Sequence, residues 1–248
     1  MLGGAYAIAQ LLCEKYHLDI NAFSFATFKS SIKEKMTFAT TTDGNHGRGV
    51  AWAAQQLGQN AVIYMPKGSA QERVDAILRL GARCIVTEMN YDDTVRFTMQ
   101  TARQNGWEVV QDTAWEGYTK IPTWIMQGYA TLADEAVEQM AAMGIARPTH
   151  VFLQAGVGAM AGACSVIWWT SSAHAICIRL SLSQSWRIVS TVQASKVKSS
   201  TLAAAWPRLW QACLRRTQSA GLGHSAQLRH PVYLLSGCRS RARDARTG

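Results

Sequence analysis

The sequence predicts an α/β fold in three layers, a mostly parallel sheet covered by helices on both faces. Three observations predict it. Short runs such as 36–39, 61–65 (AVIYM) and 150–154 alternate with longer segments of helical spacing. These runs are compact and apolar, as strands buried on both faces are. Two of them lead into glycine-bearing loops, TTTDGNHG and AGVGAMAG, which fall at the carboxyl edge where such sheets place their binding loops.

Taken in order, residues 4–16 place Ala5, Ile8, Leu11 and Leu12 at helical spacing. The run 36–39 is expected as a buried strand, 40–47 as a polar loop, and 50–57 as a helix of small residues. Strand 61–65 closes at Pro66-Lys67-Gly68. Ser69 is expected to cap the next helix, with Glu72 three residues on completing a capping box. That helix is expected to reach Leu80 and stop at Gly81. A strand over 83–87, a helix over 92–104 and a strand over 107–111 follow. A long helix spans 123–143 and ends at Gly144, and a last strand, 150–154, leads into the second glycine loop, 155–162.

A strand, a glycine loop and a helix in that order build an anion site, because the first helical turn offers unpaired N–H groups. Asn45 and His46 stand beside the first such turn. His46 could orient the loop, stack beside a bound ring or sit as a satisfied polar core residue, the last being the expectation, and His17 and His150 are expected as structural. Asp43 precedes Gly44 and Asp112 ends the strand VVQD; by themselves both are as readily turn formers or helix caps. The loop AGVGAMAG alone is equally a nucleotide turn or an ordinary strand–helix corner. Tyr118, Thr119 and Lys120 follow Gly117 and are candidates to line the same edge, which the sequence leaves undecided.

Composition divides the chain near residue 164. Residues 1–163 hold 13 basic and 15 acidic residues, whereas 164–248 hold 12 basic residues and one acidic, so the overall +9 averages two unlike pieces. Arg215, Arg216, Arg239, Arg241, Arg243 and Arg246 would suit an arm for nucleic acid. Yet the segment mixes Trp, Ser, Arg and Cys without evident period, as an out-of-frame reading of a GC-rich gene does. Residues 164–248 are therefore expected to be a basic tail that is not a native domain, and 1–163 a partial catalytic domain. Cys13 and Cys84 stand alone, which offers no metal site. The run around Trp168-Trp169 is too short and mixed to span a membrane. Met1-Leu2-Gly3-Gly4 has no basic n-region, and a cytoplasmic setting is expected.

The segments TTTDGNHGRG, MLGGAYAIAQLL, VVQDTAWEGYTKIPTWIMQGY and LQAGVGAMAG together resemble the fold-type II pyridoxal-phosphate enzymes, the tryptophan synthase β and threonine dehydratase group. Within it the wording DGNHG is most similar to the ammonia-lyases that act on 2,3-diaminopropionate. The resemblance runs from Met1 to about Ala163. It implies pyridoxal 5′-phosphate as cofactor, with Asn45 on the pyridine 3′-oxygen and Gly156, Val157, Gly158, Ala159 and Met160 around the phosphate. It also implies that Asp43 and Asp112 are acid–base groups near the substrate α-carbon. Two of them would suit an enzyme taking both D- and L-2,3-diaminopropionate, usually as a homodimer. The family's Schiff-base lysine lies just before the segment that Met1 opens, and Lys29, Lys33, Lys35 and Lys67 do not match it. The chain is accordingly expected to be a fragment, the product of a pseudogene, that is inactive as it stands. A threonine or serine dehydratase-like lyase is the enzymatic alternative. A non-catalytic nucleic-acid-binding protein is the alternative of another class.

Overall fold

Fifteen elements follow one another in the computed structural model of the chain, which describes residues 2–146, 148–155, 157–171, 177–182 and 189–193. They are α1 (Leu2–Tyr16), a 3-10 turn (Ile20–Ala22), α2 (Phe25–Ser31), β1 (Thr37–Thr41), α3 (Asn45–Gln56), β2 (Asn60–Met65), α4 (Gln71–Leu78) and β3 (Arg83–Val86). Then come α5 (Tyr91–Asn105), β4 (Glu108–Val109), α6 (Lys120–Ala142), β5 (His150–Ala155), α7 (Ala159–Ser171), β6 (Cys177–Leu182) and β7 (Val189–Gln193).

Four strands form one all-parallel sheet in the order β3-β2-β1-β4. Strand period sorts its side chains onto two faces. Phe38, Ile63 and Met65 join Ile8, Leu12, Val50, Leu57 and Ile125 in the main core beneath α1, α3 and α6. Thr41 and Tyr64 turn the other way, onto α5: the Thr41 hydroxyl lies 2.8 Å from that of Thr98, and Tyr64 meets Phe97 edge to face. Helices thus cover both faces, as the apolar runs require.

Helices α1 and α6 cross on glycine. A Cβ at Gly3 would stand 2.7 Å from the Ile125 carbonyl oxygen, and one at Gly128 would stand 2.8 Å from that of Leu2. This crossing is the backbone approach that seats α1 against the N-terminal half of α6.

The structure departs from the sequence reading at several boundaries. Helix α3 starts at Asn45, not at residue 50, because the Thr42 hydroxyl accepts from the amides of Gly44 and Gly47 and closes the first turn early. Ser69 is not a cap: its hydroxyl donates back to the Pro66 carbonyl, and α4 opens after Ala70 with no side-chain cap. Strand β4 keeps two ladder residues instead of five, because the Gln111 side chain takes over the Thr41 N–H beyond them. Helix α6 begins at Lys120, with Pro122 in the first turn where no intrahelical donor is lost.

A second sheet orders β5-β6-β7, with β5 parallel to β6 and β6 antiparallel to β7. Regular structure therefore continues past residue 163, and the compositional boundary falls inside α7. Two patterns account for it. Cys164 and Trp168, four apart, both enter a second core cluster with Ala133, Val151, Leu153 and Ala161. Ile178-Arg179-Leu180-Ser181-Leu182 alternates with the period of a strand. The late arginines, Arg215 to Arg246, lie outside the described residues. No helix among the described residues is long and apolar enough to cross a membrane.

Candidate active site

The carboxyl end of β1 carries three threonines, and each has a separate task. Thr40 donates its hydroxyl to Gln111 Oε1 at 3.0 Å, Thr41 faces α5, and Thr42 caps α3. Capping by Thr42 demands a glycine at 47. A Cβ there would collide with the Thr42 methyl and stand 2.7 Å from Ile63 Cγ2. Gly44 makes the turn at φ +141°, with the Arg73 side chain against it. Arg73 donates to the Asp43 carbonyl at 2.7 Å and holds the loop to α4. Asp43 and Asn45 are exposed at the mouth of this turn, and His46 points inward, 7% exposed.

The strand VVQD meets this turn from the side. Gln111 is buried and spends its amide fully. Its Oε1 accepts from Thr40 Oγ1 and the Thr41 N–H, and its Nε2 donates to the Tyr91 hydroxyl at 3.0 Å and to Asp112 Oδ1 at 3.2 Å. The Tyr118 hydroxyl accepts from the Gln111 N–H and donates to the Val109 carbonyl. Asp112 is half-buried beside His46, with Oδ2 4.0 Å from Nδ1. Burial, then the nearby Asp112 carboxylate, pushes the Tyr91 hydroxyl well above the usual tyrosine range, and Asp43 adds in the same direction. Burial first and the Asp112 charge also raise Tyr118 and Tyr129. Asp43 and Asp112 thus lie just past the carboxyl ends of the neighbouring parallel strands β1 and β4.

The second glycine loop lies at the carboxyl end of β5. Gly158 takes φ +91° immediately before Ala159, the first residue of α7, and its carbonyl accepts from Gly162. Ala159 is buried and Val157 half-buried in the same core cluster as Val50 of α3, while Met160 packs on the second cluster. Gly156 lies outside the described residues. Of the three residues after Gly117, Tyr118 is tied to the strand end before Asp112, through the Gln111 N–H and the Val109 carbonyl. Lys120 pairs with Glu14 of α1 and lies over the Trp124 ring, and Thr119 is exposed.

Sequence reasoning missed Gln111, Tyr91 and Thr42. The hub role of Gln111 follows from its two-sided amide and its place between a strand end and Asp112, a signal present in VVQD. Tyr91 is separated from the strand by 20 residues, and nothing local marks it. His17 is exposed and adopts φ 55° just past α1, and His150, also exposed, opens β5 and stacks near Phe152. Among the described residues no group of His, Cys, Asp and Glu could hold a metal ion.

A glycine turn follows a parallel-paired strand in each sheet, through Gly44 after β1 and Gly158 after β5, and each turn opens a helix whose first N–H groups suit an anion such as a phosphate. The residues fit pyridoxal phosphate, and the fold is the fold-type II α/β arrangement. The chain belongs to the family of pyridoxal-phosphate dependent enzymes, which it matches over residues 3–224. It is 86% identical over 162 residues to the diaminopropionate ammonia-lyase of Escherichia coli (strain K12), which covers 65% of this chain and 40% of that protein. The diaminopropionate ammonia-lyase of Salmonella typhimurium (strain LT2) is 56% identical over 165 residues, covering 65% and 41%. The chain thus spans about 40% of the length of these curated relatives. The crystal structure of the Escherichia coli enzyme in apo form superposes with a TM-score of 0.65 at 80% identity, over 68% of this chain and 46% of that one. Its complex with D-serine gives 0.65 at 82% identity, over 68% and 43%. A pyridoxal 5′-phosphate-dependent aspartate racemase, 18% identical with a TM-score of 0.51 over 73% and 46%, shares the fold alone.

Proposed function

We propose that this chain carries the acid–base part of a diaminopropionate ammonia-lyase site. The reaction is α,β-elimination: the α-proton of 2,3-diaminopropionate is removed, the β-amino group leaves as ammonia, and the enamine released hydrolyses to pyruvate and a second ammonia. The observation that carries this reading is that Asp43 and Asp112 follow the carboxyl ends of the neighbouring parallel strands β1 and β4, within the stretch that is 86% identical to the Escherichia coli enzyme. Bound pyridoxal phosphate would supply the electron sink that makes the α-proton acidic. Asn45 would hold its 3′-oxygen, and Gly156 to Met160 its phosphate. Asp43 and Asp112 would each take the α-proton from one face of the substrate, so that both enantiomers are accepted; the D-serine complex of the relative supports access of a D-amino acid. A half-buried aspartate is suited to this work, since partial desolvation strengthens it as a base while it stays ionised. A cytoplasmic homodimer belongs to the same reading.

The test is a chimera in which the matching residues of this chain replace those of the Escherichia coli enzyme, assayed beside the chain itself with pyridoxal phosphate. The chimera is expected to form pyruvate from D- and L-2,3-diaminopropionate. Asp43→Asn and Asp112→Asn are each expected to lower the rate with one enantiomer by about 100-fold or more, the scale of a positioned acid–base group. A chimera that instead prefers threonine or serine would move the assignment to the dehydratases. One that forms no pyruvate from either enantiomer would overturn it.

A further inference from the structure

Gln111 is 1% exposed, and its amide can take one orientation. The Thr41 N–H, which can only donate, stands 2.9 Å from Oε1, so a flipped amide would set donor against donor. The Thr40 hydroxyl adds a second bond to the same oxygen at 3.0 Å. Nε2 is thereby turned away from β1, and its two hydrogens meet two acceptors, the Tyr91 hydroxyl at 3.0 Å and Asp112 Oδ1 at 3.2 Å. One rigid amide thus refers the Asp112 carboxylate to the backbone of β1, a strand paired on both sides.

We propose that Gln111 is a positioning residue for Asp112: its grip on Oδ1 fixes the direction of that carboxylate, and so serves one substrate enantiomer and not the other. The catalytic meaning rests on the roles given to Asp43 and Asp112 above, whereas the hold of Gln111 on Asp112 does not.

The two aspartates stand on different supports. Asp43 is exposed in the turn before α3, and Arg73 steadies that turn through the Asp43 carbonyl. Asp112 comes where the chain has left the ladder: the Val110 N–H still bonds the Ala39 carbonyl, but the Gln111 N–H goes to the Tyr118 hydroxyl instead. Past that point strand pairing no longer orients the backbone, and the Gln111 side chain carries the register of β1 outward to Asp112. A neutral amide suits the task, because it orients a carboxylate by a charge-assisted hydrogen bond without setting a cation beside a proton acceptor. Proton transfer needs a short, aligned approach. A carboxylate free to turn therefore loses rate with the enantiomer whose α-hydrogen faces it, while the other face keeps its own base.

The spectroscopic half of the test needs neither cofactor nor turnover. The full 248-residue chain is labelled with 15N. The side-chain amide pair of Gln111 is identified by its loss in Gln111→Glu, which keeps an acceptor toward Thr40 and Thr41. In Asp112→Ala one of the two amide hydrogens is expected to shift and to exchange faster, and in Tyr91→Phe the other. The same hydrogen responding in both variants, or neither responding to Asp112→Ala, would overturn the hold. The kinetic half uses the chimera described above. Gln111→Glu and Gln111→Met are each expected to lower kcat by about tenfold or more with the enantiomer that Asp112→Asn impairs, relative to the other enantiomer. An equal loss with both enantiomers would make Gln111 a support of the fold and overturn the positioning role. If Gln111→Met does not fold, Gln111→Glu decides the ratio. An unaltered chimera that forms no pyruvate would sink the lyase reading and the positioning role with it, and the spectra of the full chain would still decide the hold.

Discussion

The side-chain amide of Gln111 donates to the Tyr91 hydroxyl at 3.0 Å, tying the end of the Asp112 strand to the first residue of α5. The same amide accepts from Thr40 and from the Thr41 N–H, so one uncharged side chain replaces the ladder bond where β4 leaves the sheet. Gln111→Met keeps the volume and removes every one of these bonds. It strands the buried Thr41 N–H, at a cost of about 1–3 kcal/mol for a donor left without a partner. Urea unfolding is expected to show that loss. Tyr91→Phe, which removes the hydroxyl that Gln111 donates to, is expected to lose about 1 kcal/mol.

The turn before α3 makes a paired prediction. Gly47→Ala pushes a methyl into Thr42 and Ile63 and is expected to destabilise the chain by about 1–3 kcal/mol through overpacking. Thr42→Val keeps the shape but removes the acceptor for the Gly44 N–H of the turn and the Gly47 N–H of the first helical turn, and about 1 kcal/mol is expected from its loss. Thr42→Ser restores the acceptor and is expected to recover most of it. A Thr42→Val variant as stable as the parent in thermal unfolding would show that water caps this turn.

Alkaline stability should depend on Cys84. Burial pushes its thiol from 9.0 up to about 11. The folded chain therefore binds a proton that the unfolded chain has released between these values, and stability falls as pH rises through that window. The contribution is complete below pH 9.0 and is gone above about 11. Tyr91 and Tyr118, raised above the usual 10.0, add the same sign at still higher pH. Cys84→Ala is expected to flatten the fall between pH 9 and 11 without abolishing the later one. Equal slopes for parent and variant in denaturant titrations would exclude Cys84 as the source.

How much of this was legible in the sequence follows from how local each cause is. Periodicity finds α1, β2, α5 and α6 because each buries a face of its own. The turn TTTDGNHG is visible because glycine and small polar residues mark it, yet its helix was placed late, since the cap comes from Thr42, on the strand side of the turn. Ser69 and Glu72 satisfy the capping-box spacing, but the hydroxyl finds the nearer Pro66 carbonyl instead. Asp43, Asn45 and Asp112 could be named as candidates from the segments around them. Tyr91 could not, because only the folded sheet brings α5 against Gln111. The strand period of 178–182 was there to read, hidden by the surrounding Ser, Trp and Arg.

Trp168 offers the last test, at the point where the composition changes. It lies 8% exposed in the cluster with Ala133, Val151, Leu153, Ala161 and Cys164, which seats α7 between α6 and β5. If that packing holds α7 in place, Trp168→Ala should destabilise the chain by about 3–5 kcal/mol, the usual cost of emptying a buried aromatic site. Because Gly158 and Ala159 open the same helix, loosening it should also disturb the second glycine turn. Amide exchange at 159–163 is then expected to quicken in Trp168→Ala while 45–50 of α3 stays protected. Unchanged stability together with unchanged exchange would mean that α7 draws its order from the residues before Cys164, and that the change in composition marks a real boundary in the fold.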